Sequence, residues 1–291
     1  MGTRRLLGAV LTMLLAGCAP AGAVTEAAAP AGRAPEGTYA VGVRTFTLDA
    51  GSARPLPVTV WYPAKGGAVA IGRFPVVIYS HGLDSLPEFH TGLTSRLAAT
   101  GFVVAAPAFP HTRRGAARFD RADVRNQPAD CWRLIRHLVR SDARQGDPLA
   151  GHLDVARFAA AGHSAGGYTT AGMFTSGHAS RLRAGVILAG GGMAGGLAGQ
   201  PAPLLFVHGT ADPIVPLKVG RAAYDRAPGP AAFVSVLGQG HGEYLIPGKP
   251  GFEQVFATMA DFLRWTLYGD RQARDRLGTD ARSPLTRYES R

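Results

Sequence analysis

Apolar residues along this chain fall into short runs separated by stretches of helical spacing. Residues 41–48 and 56–62 alternate apolar and polar positions, the period-two pattern of strands with one buried face. Residues 74–79 read Phe-Pro-Val-Val-Ile-Tyr without a polar break, and 102–107 form a second such run. Uninterrupted runs of that length predict strands covered on both faces, as in parallel sheets. Further strands are predicted over 155–161, 184–189, 204–207 and 233–237. Between them, 86–100 carries Phe89, Leu93 and Leu97 at helical spacing and stops at Gly101. Residues 128–139 open on a proline and place Trp132, Ile135 and Leu138 on one helical face. Helices are also predicted over 166–176, 217–226 and 252–268, the last with Phe256, Met259, Phe262 and Leu263 available for packing.

Apolar strands alternating with helices predict an α/β fold: a mainly parallel sheet of eight strands with helices on both faces. The first two strands read as an antiparallel pair at one edge. At 291 residues and 46% hydrophobic, the chain is sized for one domain with a sizeable core. Residues 38–269 hold this domain, while 270–291 are charged, weakly apolar, and expected to form a polar surface extension.

The N-terminal residues change the picture of where the domain works. Arg4 and Arg5 precede an apolar stretch at 6–15, too short to span a bilayer, then Leu15-Ala16-Gly17-Cys18. This resembles a bacterial lipobox, in which cleavage leaves Cys18 as a lipidated N-terminus. The expectation is a signal peptide over 1–17 and a flexible Ala/Pro/Gly tether over 18–37. The chain would then be exported and held to the membrane through Cys18 on its extracytoplasmic side. An ordinary secretory signal with an incidental cysteine is the other reading. Only Cys131 remains beyond Cys18, on an amphipathic helix where burial is expected.

Candidate chemistry centres on Gly162-His163-Ser164-Ala165-Gly166, which follows a predicted strand and opens a predicted helix. In that context G-x-S-x-G presents a serine on a strained turn. A serine hydroxyl needs a general base, and the base needs an orienting acid. Asp212 is the first carboxylate after the 204–207 strand, although Asp-Pro is also a common turn pair. His241, flanked by glycines, follows the 233–237 strand. The backbone amides of Ala165 and of Leu83, the latter after Ser80-His81-Gly82, are candidate donors for an oxyanion. His81, His163 and His208 are read as structural. Leu83 and Met193 are candidate substrate contacts, with Tyr168 and Phe109 placed nearby by loop position.

Other chemistries are less well supported. The nine histidines are scattered, without H-E-x-x-H or a Cys/His cluster, so no metal is expected. The first strand–helix junction carries His81-Gly82 where a dinucleotide fingerprint would need G-x-G-x-x-G, so no cofactor is expected. Net charge is +11, but the arginines are dispersed and no nucleic-acid module is present, so no nucleic-acid partner is expected.

Ser80-His81-Gly82, Gly162-His163-Ser164-Ala165-Gly166-Gly167, Asp212 in Gly-Thr-Ala-Asp-Pro-Ile-Val-Pro, and His241 together resemble the α/β-hydrolase family. Val58-Thr59-Val60-Trp61-Tyr62-Pro63, the stretch from Leu97 to Pro107 and Asn126-Gln127-Pro128-Ala129-Asp130 are similar to a narrower bacterial group. That group comprises secreted esterases of the platelet-activating-factor acetylhydrolase-like, dienelactone-hydrolase-like and cutinase/polyester-hydrolase-like kinds. The resemblance implies cofactor-free carboxylic ester hydrolysis through an acyl-enzyme. Ser164 would be the nucleophile, His241 the base, Asp212 its orienter, and Leu83 and Ala165 the oxyanion amides. The chain lacks the aromatic residue that polyester hydrolases carry after the strand following the nucleophile helix. It also lacks their C-terminal disulfide. Dienelactone hydrolases proper use cysteine where this chain has Ser164.

Only 190–203 separates two strands where related enzymes insert a lid, so no lid domain is expected, and the Gly-rich run 190–199 reads as a flexible loop near the site. A shallow, open cleft follows, suited to short-chain or externally presented esters, polymeric ones included. A non-catalytic binding lipoprotein and a lidless serine peptidase are the alternatives on the same fold.

Overall fold

A computed structural model describes residues 1–2 and 34–291. Most of the expected signal peptide, the lipidation site Cys18 and most of the tether lie outside the described residues.

The chain begins with β1 (Ala40–Leu48) and β2 (Leu56–Lys65), paired antiparallel, with the two-residue β3 (Ala68–Val69) folded back on β2. β4 (Phe74–Ser80), α1 (Thr91–Ala99), β5 (Val103–Pro107) and α2 (Gln127–Asp142) follow. Next come β6 (Leu153–His163), α3 (Ala165–Met173), β7 (Leu182–Leu188), β8 (Leu204–Gly209), α4 (Leu217–Asp225) and β9 (Ala231–Val236). The chain closes with α5 (Phe252–Leu263), a π-helical turn (Arg264–Tyr268), α6 (Arg271–Asp280) and β10 (Thr286–Ser290). No described helix is long and apolar enough to cross a membrane.

The strand order is β1-β2-β5-β4-β6-β7-β8-β9-β10. The six strands from β5 to β9 run parallel, and both flanks are antiparallel. Two apolar cores sit on opposite faces of this sheet, and the strands feed them alternately. Val76 and Ile78 of β4 pack with α2, α3 and α4, while Val77 and Tyr79 pack with α1, α5 and α6. That division is the period-two geometry of a strand covered on both sides.

Two strands beyond the expected eight are present. β3 is a short return on β2, and β10 comes from the segment expected to be a polar extension. Residues 270–291 instead form α6, which buries Ala273 and Leu277, and β10, which pairs with β9 from Thr286↔Val236 to Ser290↔Ala232. An edge strand draws its stability from backbone hydrogen bonds and one partly covered face, so a charged sequence serves it well. The N-terminal end of the predicted 86–100 helix is also different. Pro87–His90 form a 3₁₀ turn, which takes Phe89 off the buried stripe of α1 and leaves it 56% exposed.

The longest connection, residues 108–126, is held by a buried ion cluster. Arg54 donates to Asp123 Oδ1 and Oδ2 at 2.9 and 2.7 Å, and through Nε to Asp130 Oδ1 at 2.8 Å. Both carboxylates are buried. Replacing Arg54 leaves two buried charges without their partner, which costs about 3–5 kcal/mol. Arg54→Ala should therefore lower the urea midpoint by a corresponding amount, and an unchanged midpoint would show the cluster to be energetically neutral.

Candidate active site

Ser164 sits between β6 and α3 with φ 57° and ψ −120°. A non-glycine residue there is strained, at a cost of about 1–3 kcal/mol. The surroundings fix it. Its amide donates to Leu188 O at 2.9 Å, and its carbonyl accepts from Gly167 and Tyr168 at 2.8 and 3.2 Å. The glycines are sterically required. A Cβ on Gly166 would lie 1.9 Å from Ser80 O, and one on Gly162 would lie 2.2 Å from Gly166 O. The turn thus rests directly on the end of β4.

The structure brings Ser164, His241 and Asp212 together from three strand ends. His241 Nε2 is 2.8 Å from Ser164 Oγ, and His241 Nδ1 is 2.7 Å from Asp212 Oδ2. With neutral imidazole, the serine O–H donates to Nε2 and Nδ1–H donates to the carboxylate. Asp212 is buried, and its Oδ1 accepts the amides of Ile214 and Val215 at 2.8 and 2.9 Å. Burial alone would raise its carboxyl, but the bonds from His241 and the two amides outweigh it and hold Asp212 below the ordinary carboxylate range. Asp-Pro does form a turn here, and the turn itself supplies the amides that keep the acid ionised.

Gly82 lies against the serine: a Cβ on it would be 3.2 Å from Ser164 Cβ. Leu83 follows it on the cleft wall. Among the described residues, no protein acceptor takes the amide N–H of Leu83 or of Ala165. Both remain free for an oxygen bound beside Ser164 Oγ.

The other histidines have other partners. His81 is buried, donates from Nδ1 to Gly82 O at 2.7 Å and accepts the Phe109 amide on Nε2 at 3.1 Å. His208 Nε2–H donates to Val215 O at 2.7 Å and lies 3.3 Å from Asp212 Oδ2. His163 Nε2–H donates to the backbone carbonyl of His241 at 2.5 Å. His90 contacts the Tyr79 hydroxyl through Nδ1 at 2.9 Å and Ser85 Oγ through Nε2 at 3.2 Å. Desolvation pushes His81 and His163 down to about 4 and His90 to about 3.

A cleft of about 840 Å³ opens over Ser164 and His241. Its walls include Leu83, Phe89, Phe119, Ile214, Leu245 and Ile246. Four of the eight large apolar side chains exposed among the described residues, Phe89, Phe119, Ile214 and Ile246, line it, so the cleft gathers exposed apolar surface in one place. No sequence pattern marks these four as cleft residues. Phe89 was assigned to a helix core, and the others lie in loops without a local signal. Met193 is not on the cleft: its sulfur fills the space that a side chain at Gly172 would take, beside Pro128. The Gly-rich run, expected as a flexible loop near the site, is likewise a packing element. Leu197 and Ala198 donate backbone bonds to Ala171 and Phe174 of the α3 end. Tyr168 packs on Gly191, and Phe109 is fully buried against His81. Cys131 is buried, and desolvation pushes its thiol up to about 12.

This sheet, with a serine turn after a central strand and a histidine and an acid after later ones, defines an α/β-hydrolase. Residues 32–189, over half the chain, match the family model described as chlorophyllase, and residues 194–266 match the model described as TAP-like protein. The chain belongs to the chlorophyllase family of α/β-hydrolases. No curated protein matches it. The family places it among α/β-hydrolases.

His81, His90 and His163 all have folded pKa values below the ordinary 6.5, so the unfolded chain binds more protons than the folded one in mild acid. Stability is fully present above about pH 6.5 and falls as pH drops toward 4, by about 1.4 kcal/mol per pH unit for each titrating histidine. Urea unfolding at pH 7.5 and 5 should show a lower midpoint at pH 5. A higher one would contradict this protonation assignment.

Proposed function

We propose that the chain is a serine carboxylic ester hydrolase, with Ser164 as nucleophile, His241 as general base and acid, and Asp212 as orienter. The observation that carries this reading is the unbroken hydrogen-bonded line Ser164 Oγ–His241–Asp212 on the floor of an open cleft. Ser164 Oγ attacks the ester carbonyl as His241 Nε2 takes its proton. The tetrahedral oxyanion is received by the amides of Leu83 and Ala165, which have no other partner. His241 then protonates the departing alcohol and the acyl group stays on Ser164. Water attacks the acyl-enzyme, His241 takes its proton, and Ser164 is released with the carboxylic acid. Asp212, already ionised, stabilises the imidazolium formed in both halves.

The substrates proposed are short-chain or externally presented esters, polyesters among them. The open cleft and the absence of any helix or strand between β7 and β8 support this. The kinship proposed within the family is to secreted bacterial esterases of the acetylhydrolase-like and cutinase-like kinds. The cellular setting proposed is export, with Cys18 as a lipid anchor on the extracytoplasmic side.

A fluorophosphonate should label the purified protein covalently, and Ser164→Ala should abolish both labelling and hydrolysis of p-nitrophenyl acetate, with kcat/KM falling at least about 10⁴-fold. Failure of the folded wild-type protein to label would defeat the proposal. Across a p-nitrophenyl ester series, kcat/KM should be highest for acetate or butyrate and lowest for palmitate. A maximum at palmitate would overturn the short-chain assignment while leaving the triad intact.

A further inference from the structure

His241 sits on a loop that must hold an imidazole to within a fraction of an ångström, yet the loop reads Gly238-Gln239-Gly240-His241-Gly242. Glycines give a backbone much freedom to lose. Neighbouring residues are tethered: Gly238 N donates to Thr210 Oγ1 at 2.8 Å, and Gln239 O accepts from Ala211 N at 2.9 Å. The backbone of His241 itself is gripped by one side chain, His163, whose Nε2–H donates to its carbonyl. His163 immediately precedes Ser164. The same residue therefore ties the serine turn to the loop that carries its base.

We infer that His163 is a positioning residue for the reaction: it fixes the register of His241 against Ser164 through the His241 carbonyl. This rests on the roles proposed for Ser164 and His241. Three features support it. The His163 ring lies 4.8 Å from the His241 ring and 5.8 Å from that of His90, so it is wedged between neighbours. His90 is in turn held by Tyr79 and Ser85, so the wedge has a fixed base. Gly242 is small where it must be, since a Cβ there would lie 2.8 Å from His163 Nε2. Neutral His163 also adds no positive charge beside His241 when that ring becomes an imidazolium.

The alternative is that His163 merely fills space. Two substitutions separate the readings. His163→Phe keeps a ring but removes the donor, and His163→Gln keeps a donor without the ring. Misplacement of a reacting group by about 1 Å costs on the order of 100-fold. His163→Phe should therefore lower kcat on p-nitrophenyl acetate by about 10- to 100-fold with KM within about twofold, and slow fluorophosphonate labelling in parallel. His163→Gln should recover most of that loss. A wild-type kcat in His163→Phe, or a Gln variant no better than Phe, would overturn the inference. Should His163→Phe fail to fold, Gly242→Ala decides, because it displaces the ring while leaving His163 in the chain. A folded Gly242→Ala protein with wild-type kcat overturns the inference, and one with the same kcat loss supports it. If Ser164→Ala retains hydrolysis, it is the reading of the site that fails and not the latch alone.

Discussion

The site depends on one close approach, that of the turn around Ser164 to the end of β4. Gly166 has no room for a side chain over the Ser80 carbonyl, and Gly162 has none under Gly166. This contact forces Ser164 into its strained conformation and lifts its hydroxyl out of the sheet edge. It also sets the residue after Ser80-His81-Gly82 beside the serine, so that the Leu83 and Ala165 amides arrive from different strands at one place. A parallel sheet makes this possible. β4 and β6 are neighbours running the same way, and their ends meet at one edge. The strain is held by the two cores that clamp the sheet from both faces.

Electrostatics follow from the same crowding. Among the groups around the serine, burial favours neutral imidazoles at His81, His90 and His163, each anchored by hydrogen bonds. Asp212 is the exception. It stays charged because His241 and two backbone amides satisfy it. The site thus contains a buried anion facing His241 at 2.7 Å and His208 at 3.3 Å, with the neutral rings of His81, His90 and His163 around the serine. The Asp212 carboxylate accepts from His241 Nδ1–H at 2.7 Å, on the ring whose Nε2 meets Ser164 Oγ.

Much of this was legible in the sequence, for identifiable reasons. The central stretches of the strands from β4 to β9 are buried on both faces, so they are dominated by apolar residues, as the Phe-Pro-Val-Val-Ile-Tyr run illustrates. The serine turn tolerates only small residues at 162 and 166, so the backbone contact is written directly into residue type. Asp212 and His241 were legible from chain order, since strand ends fix where each can appear. β10 was hidden because it is an edge strand: Thr286 is buried, while Arg287, Glu289 and Ser290 face solvent, and its hydrogen bonds are made by backbone. Phe89 fits the helical spacing in sequence, but it lies in a 3₁₀ turn, whose three residues per turn rotate it off the buried stripe of α1. Met193 as a substrate contact and the glycines after β7 as a flexible loop fit the sequence equally well, but both pack tightly on α3, which no local pattern reveals.

Chemistry and selectivity are therefore encoded differently in this chain. Residues that place the reacting groups are constrained by steric contacts that only certain residues satisfy, so they show in a single sequence. The cleft walls come from loops after β4, before α2, after β8 and after β9, tied to each other in pairs: Asp84 N donates to Thr112 O at 2.8 Å, and Ala211 N to Gln239 O at 2.9 Å. The Arg54 cluster anchors the loop before α2, which carries Phe119 and Arg121 to the cleft, through Asp123. His163 is the point where the two layers meet. It is part of the serine turn, reaches the cleft wall, and holds the loop that leads to Leu245 and Ile246. A change in that loop that alters which ester fits must keep the His241 carbonyl under the His163 ring, and this couples selectivity to rate at one hydrogen bond.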